Sequence, residues 1–373
     1  MALRRYLSIG LMVTASVAIL AVVVGFVGYE RTLAAVRHAG VWAFVAMGAL
    51  TAAFILVQAG AWAALNRPIG HKIRFRTLFA GTLVGTAGNI VTPTLYVGGE
   101  ALKVVYVGKV TGLPYPEVAG TVLLAKYLEF LSFILVFSIS TIVAAIEFRG
   151  VLFEPAYVWG GVSMLAVAGL LLGLCVVLWV SLLRRWHPLT RLVGWLARLG
   201  LGRQKLARLR SKTAEMEDQV SRVFCEEGGT AFGVFAALLA GQAAIFTKPL
   251  AFFLLGSSLR LGMGDLCLIF VVGQLLLSVQ LTPSGVGMFD GGMIGTFALL
   301  GLNTADDAAM CMAFLLCYRL WEGLIITIGA LLAASVGARI LSKAGTPEAA
   351  VSLLPDGRPD AAPEPGETRG ANP

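Results

Sequence analysis

The chain has 373 residues, 58% hydrophobic and 13% charged, with 29 Lys and Arg against 21 Asp and Glu for a formal net charge of +8. Soluble domains carry about 25% charged residues, and a globule in water has too little interior to hide this much apolar surface, so an ordinary soluble protein is excluded. The basic residues cluster in short segments between apolar runs, which is the positive-inside pattern of a membrane protein and not the basic face of a nucleic-acid binder. No nucleic-acid partner is expected.

Taken in order, the first apolar run, Tyr6 to Gly28, follows Arg4 and Arg5. It exceeds the 7–15 apolar residues of a secretory signal and reads as a retained helix with its N-terminus in the cytoplasm. A second span, Val41 to Leu65, ends at a basic loop holding Arg67, His71, Lys72, Arg74 and Arg76. The stretch 78–110 is apolar but broken by Gly81, Gly85, Gly88, Thr92, Pro93, Gly98 and Gly99, and it carries Glu100 and Lys103. Irregular backbone at membrane depth survives only where protein or water covers it, so this stretch is expected to be a re-entrant pair of short helices.

Full spans follow at Val118 to Ile146 and Tyr157 to Leu183. The segment 184–228 then holds ten Lys and Arg against five Asp and Glu, a basic cytoplasmic linker. Leu189, Leu192, Val193, Leu196 and Leu199 recur there at helical spacing, either as a helix on the inner leaflet or as a solvated linker helix. The fifth span, Thr230 to Leu255, carries Lys248 and Pro249 near its far end. The stretch 266–300 is broken again, by Thr282, Pro283, Gly285, Gly287, Asp290, Gly291 and Gly292. The last span, Ala308 to Val336, precedes a tail over 341–373 whose Pro, Gly, Ala and Glu content predicts disorder.

The expected fold is therefore an all-α polytopic membrane protein of about six full spans and two re-entrant hairpins. Both termini would lie on the cytoplasmic side of the inner membrane. The halves are 1–183 and 229–340.

The two broken regions share an order of residues. Thr92-Pro93 is followed by Glu100, and Thr282-Pro283 by Asp290, seven residues after the proline in each case. The next span carries a base and, three residues on, an acid: Lys126 and Glu129 in the first half, Arg319 and Glu322 in the second. Three full spans, an odd number, separate the motifs, so the second copy is inverted. Broken helices at matching places in inverted halves point to a transporter's binding site.

Lys126 and Arg319 lie on the order of 12–16 Å into their spans at 1.5 Å per residue, near the centre of a roughly 30 Å hydrocarbon core. Charges there must be paired or hydrated, and spacing of three places each base and acid on one helix face. The expected pairs are Lys126 with Glu100 and Arg319 with Asp290. These charges either pin the hairpins or bind a substrate, and ionisable groups inside a membrane favour the second reading. Tyr127 and Tyr318, beside the bases, are a phenol at the site or plain packing.

Glycines spaced by four (Gly81/Gly85, Gly169/Gly173, Gly287/Gly291/Gly295) suit close helix approach. The amides near Gly98, Gly99, Gly285 and Gly287 are placed to meet a phosphate. His38, His71 and His187 are too dispersed for a metal site, and no cofactor is expected. Cys175, Cys267, Cys311 and Cys317 sit in apolar runs as small hydrophobes; Cys225 does not.

The run Asn89-Ile-Val-Thr-Pro-Thr-Leu-Tyr-Val-Gly-Gly-Glu100, continuing through Lys103 to Gly112, resembles the first signature of the lysylphosphatidylglycerol synthase transmembrane-region family. Leu281-Thr-Pro-Ser-Gly-Val-Gly-Met-Phe-Asp290 resembles its second. The likeness spans about residues 5–340 and implies a flippase-like fold with inverted re-entrant hairpins that binds or translocates lipid. Asp290 stands where that family usually has Glu, and Lys103 and Lys126 where Arg is commoner, which loses arginine's bidentate fork. With no large soluble aminoacyl-transfer domain in this sequence, the likeness implies no synthase activity.

The leading expectation is a flippase that binds a polar or anionic lipid through Glu100, Lys103, Lys126, Glu129, Asp290, Arg319 and Glu322. Glu100 and Asp290 are candidate proton carriers in the absence of a nucleotide-binding loop. The alternative is a non-transporting partner that presents lipid to a glycosyltransferase or other lipid-modifying enzyme docked on the basic segment. A membrane enzyme would need a nucleophile with its base, or a metal cluster, and the sequence offers neither. Self-association as a homo-oligomer is left open.

Overall fold

The computed structural model describes residues 29–344 apart from 68–69, 71, 93–97, 153–157, 185–189, 192–193, 196–213, 215–227, 258 and 279–281. The first apolar run, Pro93, most of the basic linker, Cys225 and the tail beyond Ala344 lie outside the described residues. Every element in the described part is helical: α1 Tyr29–Asn66, α2 Phe75–Val91, α3 Gly98–Thr111, α4 Tyr115–Glu147, the single turn α5 Arg149–Leu152, α6 Val158–Leu183, α7 Gly228–Phe246, α8 Lys248–Gly256, α9 Met263–Ser278, a 3₁₀ turn Pro283–Gly285, α10 Met288–Leu299 and α11 Ala305–Ala344.

Among the described residues four stretches are long and apolar enough to cross a bilayer: Glu30–Asn66, Tyr115–Glu147, Gly228–Gly256 and Ala305–Val336. Their outer faces carry large apolar side chains, with Phe232 on α7 69% exposed and Leu331 on α11 66% exposed. A contiguous apolar exterior is unfavourable in water and favourable in lipid. The protein is an all-helical, polytopic membrane protein.

Two boundaries differ from the sequence reading. Helix α1 starts at Tyr29, well before the expected Val41, and bends at Gly40, whose φ of 72° is open to glycine without strain. The early turns escape an apolar scan because Arg31, Arg37 and His38 interrupt them. They are helical because Thr32, Ala35 and Ala39 form a buried stripe, and Ala39 backs directly onto Gly256 of α8. At the other end, α11 continues past Val336 to Ala344, so residues 341–344, assigned by sequence to the tail, are helical.

The fifth span is also not one straight helix. It divides at Thr247 between α7 and α8. Pro249 has no N–H to give and its ring crowds the carbonyl four residues back, which breaks a helix at this point. At the break the Ala243 carbonyl accepts both the Thr247 N–H and the Thr247 Oγ1 hydroxyl, each at 2.9 Å.

Each Thr-Pro region folds as two short helices. In the first, Gly81 of α2 faces Val107 of α3, Gly85 faces Lys103 and Gly88 faces Gly99, a series that runs antiparallel. A Cβ on Gly99 would lie 1.9 Å from the Gly85 carbonyl oxygen, so only glycine permits this approach. In the second, Gly292 of α10 faces Leu276 of α9 and Gly273 faces Met293. Not every glycine pair works this way. Gly169, Gly173, Gly291 and Gly295 face open space within the chain, so their spacing by four does not mark a packed seam here.

Helix α1 runs through the middle of the molecule, packing on α2, α4, α7, α8 and α11. One core joins α1, α8, α10 and α11 around Phe252, Phe253, Phe297 and Phe314. A second joins α4, α6 and α7 around Leu128, Leu131 and Leu238. Between them lies the cavity that the charged residues reach. The four described cysteines are free and buried.

Candidate functional site

The first charged cluster begins where α3 starts. Asn89, at the end of α2, accepts a hydrogen bond from the Gly99 N–H at 2.8 Å and donates to Glu100 Oε1 at 3.5 Å. That closes the hairpin and turns Glu100 inward. Its carboxylate meets Lys103 Nζ at 3.1 Å, one helical turn on, and Lys126 Nζ of α4 at 3.6 Å. Lys126 also reaches Glu129 at 3.1 Å, and Glu129 accepts from Gln58 Nε2 of α1 at 2.8 Å. Two acids and two lysines thus tie α3, α4 and α1 together.

The second cluster has the same order but a different economy. Asp290 has no exposed surface. Its carboxylate takes the Gly287 N–H at 2.9 Å, the reach-back half of a capping box, and a two-pronged bond from Arg319, with Nε–Oδ1 and Nη2–Oδ2 both 3.0 Å. Arg319 Nη1 donates to the Ser284 carbonyl and hydroxyl at 2.8 Å and to Glu322 Oε2 at 2.6 Å. Ser284 Oγ donates to Glu322 as well, at 2.6 Å. Ser284 sits at φ 59°, a left-handed conformation that costs a non-glycine residue free energy. The four bonds shared among Ser284, Arg319 and Glu322 hold it there. The guanidinium lies 5.1 Å from the Phe289 ring centroid, a cation–π distance.

Both clusters border one cavity of about 400 Å³. Glu100, Lys103, Lys126 and Glu129 line it from the first half, and Lys248, Tyr318 and Glu322 from the second. Asp290 and Arg319 do not line it. They stand behind the wall and anchor the second hairpin to α11. Tyr127 turns away to the Leu178 carbonyl of α6, 3.4 Å distant, so only Tyr318 of the two phenols faces the site.

The backbone amides expected to be free for a phosphate are engaged within the chain: Gly99 with Asn89, Gly285 with the Thr282 carbonyl and Gly287 with Asp290. Gly98 is likewise not free. Thr92 Oγ1 donates to the Gly88 carbonyl and Thr282 Oγ1 to the Val286 carbonyl, so both threonines serve the breaks themselves. Among the described residues no three of His, Cys, Asp or Glu come together as metal ligands would.

Sequence reasoning did not assign to the site several polar residues of the lining, among them Gln58, Gln242 and Gln274, nor Asn89 and Lys248, which it noted only as part of a motif and of a span. The signal for them was polarity within apolar runs, since an amide or ammonium at membrane depth needs a partner.

A family model described as the lysylphosphatidylglycerol synthase TM region matches residues 10–337. The chain belongs to that family. A UPF0104 membrane protein of Methanothermobacter thermautotrophicus is 25% identical over 257 residues, which cover 66% of this chain and 72% of that protein. The family match takes in both hairpins, both charged clusters and every helix that lines the cavity.

Proposed function

We propose that this member of the lysylphosphatidylglycerol synthase TM region family binds a polar or anionic lipid by its head group in the central cavity and moves it between leaflets. The observation that carries the reading is the convergence of ionisable side chains from both halves on one cavity inside an apolar helical bundle. Such residues are expensive in a membrane and persist where they serve a polar cargo. A volume of about 400 Å³ falls within the roughly 300–1,000 Å³ of ligand sites, which suits a head group whose acyl chains stay in the bilayer. The hairpins, read as re-entrant elements of an inverted repeat, supply the two bodies that rock around a fixed site. The basic residues at 67–76 and 184–222 favour an inner-membrane orientation with both termini in the cytoplasm.

The test is translocation of a fluorescent phosphatidylglycerol in proteoliposomes, read by dithionite quenching of the outer leaflet. Wild type should raise the rate above that of protein-free vesicles, and Thr86→Trp, which fills the lining, should return it to background. A wild-type rate no faster than that of empty vesicles would sink transport and favour a protein that presents lipid to a modifying enzyme.

A further inference from the structure

Each half contributes two acids and two bases near the cavity, yet the bases are spent differently. In the first half each lysine is paired with a carboxylate, Lys103 with Glu100 and Lys126 with both Glu100 and Glu129. In the second, Arg319 alone takes both Asp290 and Glu322. Lys248 is left over. It is 7% exposed, lines the cavity and, among the described residues, has no carboxylate within ion-pair distance. Its Nζ stands 5.5 Å from the Tyr318 ring centroid, which leaves its three N–H donors for something else. Glu322 acts on it from longer range, while that carboxylate's near contacts go to Arg319 and Ser284.

Two more polar groups line the same cavity and, among the described residues, have no side-chain hydrogen bond: Gln242 of α7, 6% exposed, and Gln274 of α9. An ammonium and two amides facing one cavity form a donor-rich pocket. A buried charge without a partner is costly, and an ammonium in low dielectric is best satisfied by an anion.

We propose that Lys248, assisted by Gln242 and Gln274, is the oxyanion subsite of the cavity and takes the phosphodiester or a carboxylate of the lipid head group. This deepens the lipid-binding reading and rests on it. The cargo is then a lipid whose head group carries an oxyanion, and a neutral glycolipid lacks the group the subsite needs. The break at Pro249 is what points the subsite, since Lys248 sits at the first position after the interruption in α7–α8.

The experiment uses the full chain in nanodiscs of equimolar phosphatidylglycerol and galactosyl diacylglycerol, with retained lipid counted by mass spectrometry after detergent extraction. Wild type should enrich phosphatidylglycerol about tenfold, the ratio expected for roughly 1.4 kcal/mol of added binding. Lys248→Gln should bring the ratio close to one, and Lys248→Arg should keep most of it. A thermal melt checks that Lys248→Gln is folded, and Gln242→Leu should lower the ratio by a smaller factor. If wild type enriches phosphatidylglycerol and Lys248→Gln does so equally, the subsite is wrong while lipid binding stands. If wild type holds both lipids in bulk proportion, lipid selection in the cavity fails and the subsite falls with it.

Discussion

Replacing Arg319 by Leu removes the group that holds Asp290, Ser284 and Glu322 in one arrangement. Asp290 is then a carboxylate with no exposed surface and only the Gly287 amide for a partner. Breaking a buried pair from one side costs about 3–5 kcal/mol. At roughly 2–4 °C per kcal/mol for a chain of this order of size, the melting temperature of the detergent-purified protein should fall by roughly 6–20 °C. Asp290→Asn should cost less, because Arg319 keeps Glu322 and the amide still fits the site. The double variant should be more stable than the sum of the two changes implies, by about 1.5 kcal/mol or more, since residues in one network couple at 0.5–3 kcal/mol. The assay is a thermal melt of all four forms at one pH and ionic strength. Additive effects within about 0.5 kcal/mol, or an Arg319→Leu protein as stable as wild type, would refute the assignment of Arg319 and Asp290 to anchoring the hairpin. Loss of lipid binding with unchanged stability would instead return both residues to direct contact with the cargo.

Gly99→Ala puts a methyl group 1.9 Å from the Gly85 carbonyl oxygen, and overpacking of this kind costs about 1–3 kcal/mol. Its melting temperature should drop by several degrees, whereas that of Gly169→Ala, which meets nothing within 4 Å, should not move. Gln58→Leu removes the 2.8 Å hydrogen bond to Glu129 and should destabilise by about 1.5–3 kcal/mol, the range for bonds to charged groups; denaturant titration of the two proteins decides it. Cys225 belongs by sequence to the basic linker, whereas the four described cysteines are buried. A membrane-impermeant maleimide should therefore label inside-out vesicles and leave right-side-out vesicles unlabelled, and the reverse pattern would overturn the proposed orientation.

Much of the fold was legible because membrane burial leaves coarse marks. The Thr-Pro breaks at Thr92 and Thr282 separate short helices, and the three-residue spacings of Lys126 with Glu129 and Arg319 with Glu322 end as ion pairs. The packing direction of a glycine was not legible. Gly81 and Gly169 each begin a glycine pair with the same spacing, but a neighbour supplied by another helix decides that only the first is filled. Long-range partners were hidden for the same reason: Gln58 and Glu129 are 71 residues apart, and Trp321 Nε1 donates to the Phe44 carbonyl across 277.

Lys248 is the instructive miss, because the charges gathered at the cavity and just behind its wall number two acids and two bases in each half, which suggests equal use. The difference lies in donor geometry. A lysine ammonium is a compact point charge, so two carboxylates in the first half engage Lys103 and Lys126 between them. A guanidinium presents five N–H donors in a rigid fork, so Arg319 alone satisfies Asp290 on one edge and Glu322 with Ser284 on another. One base replaces two, and the second half keeps an ammonium with no acid in contact among the described residues. A site that is neutral by composition therefore becomes polar by arrangement, with its paired charges on the first half and its spare donors on the second. That asymmetry gives a head group a direction in which to bind, which a symmetric set of pairs would not.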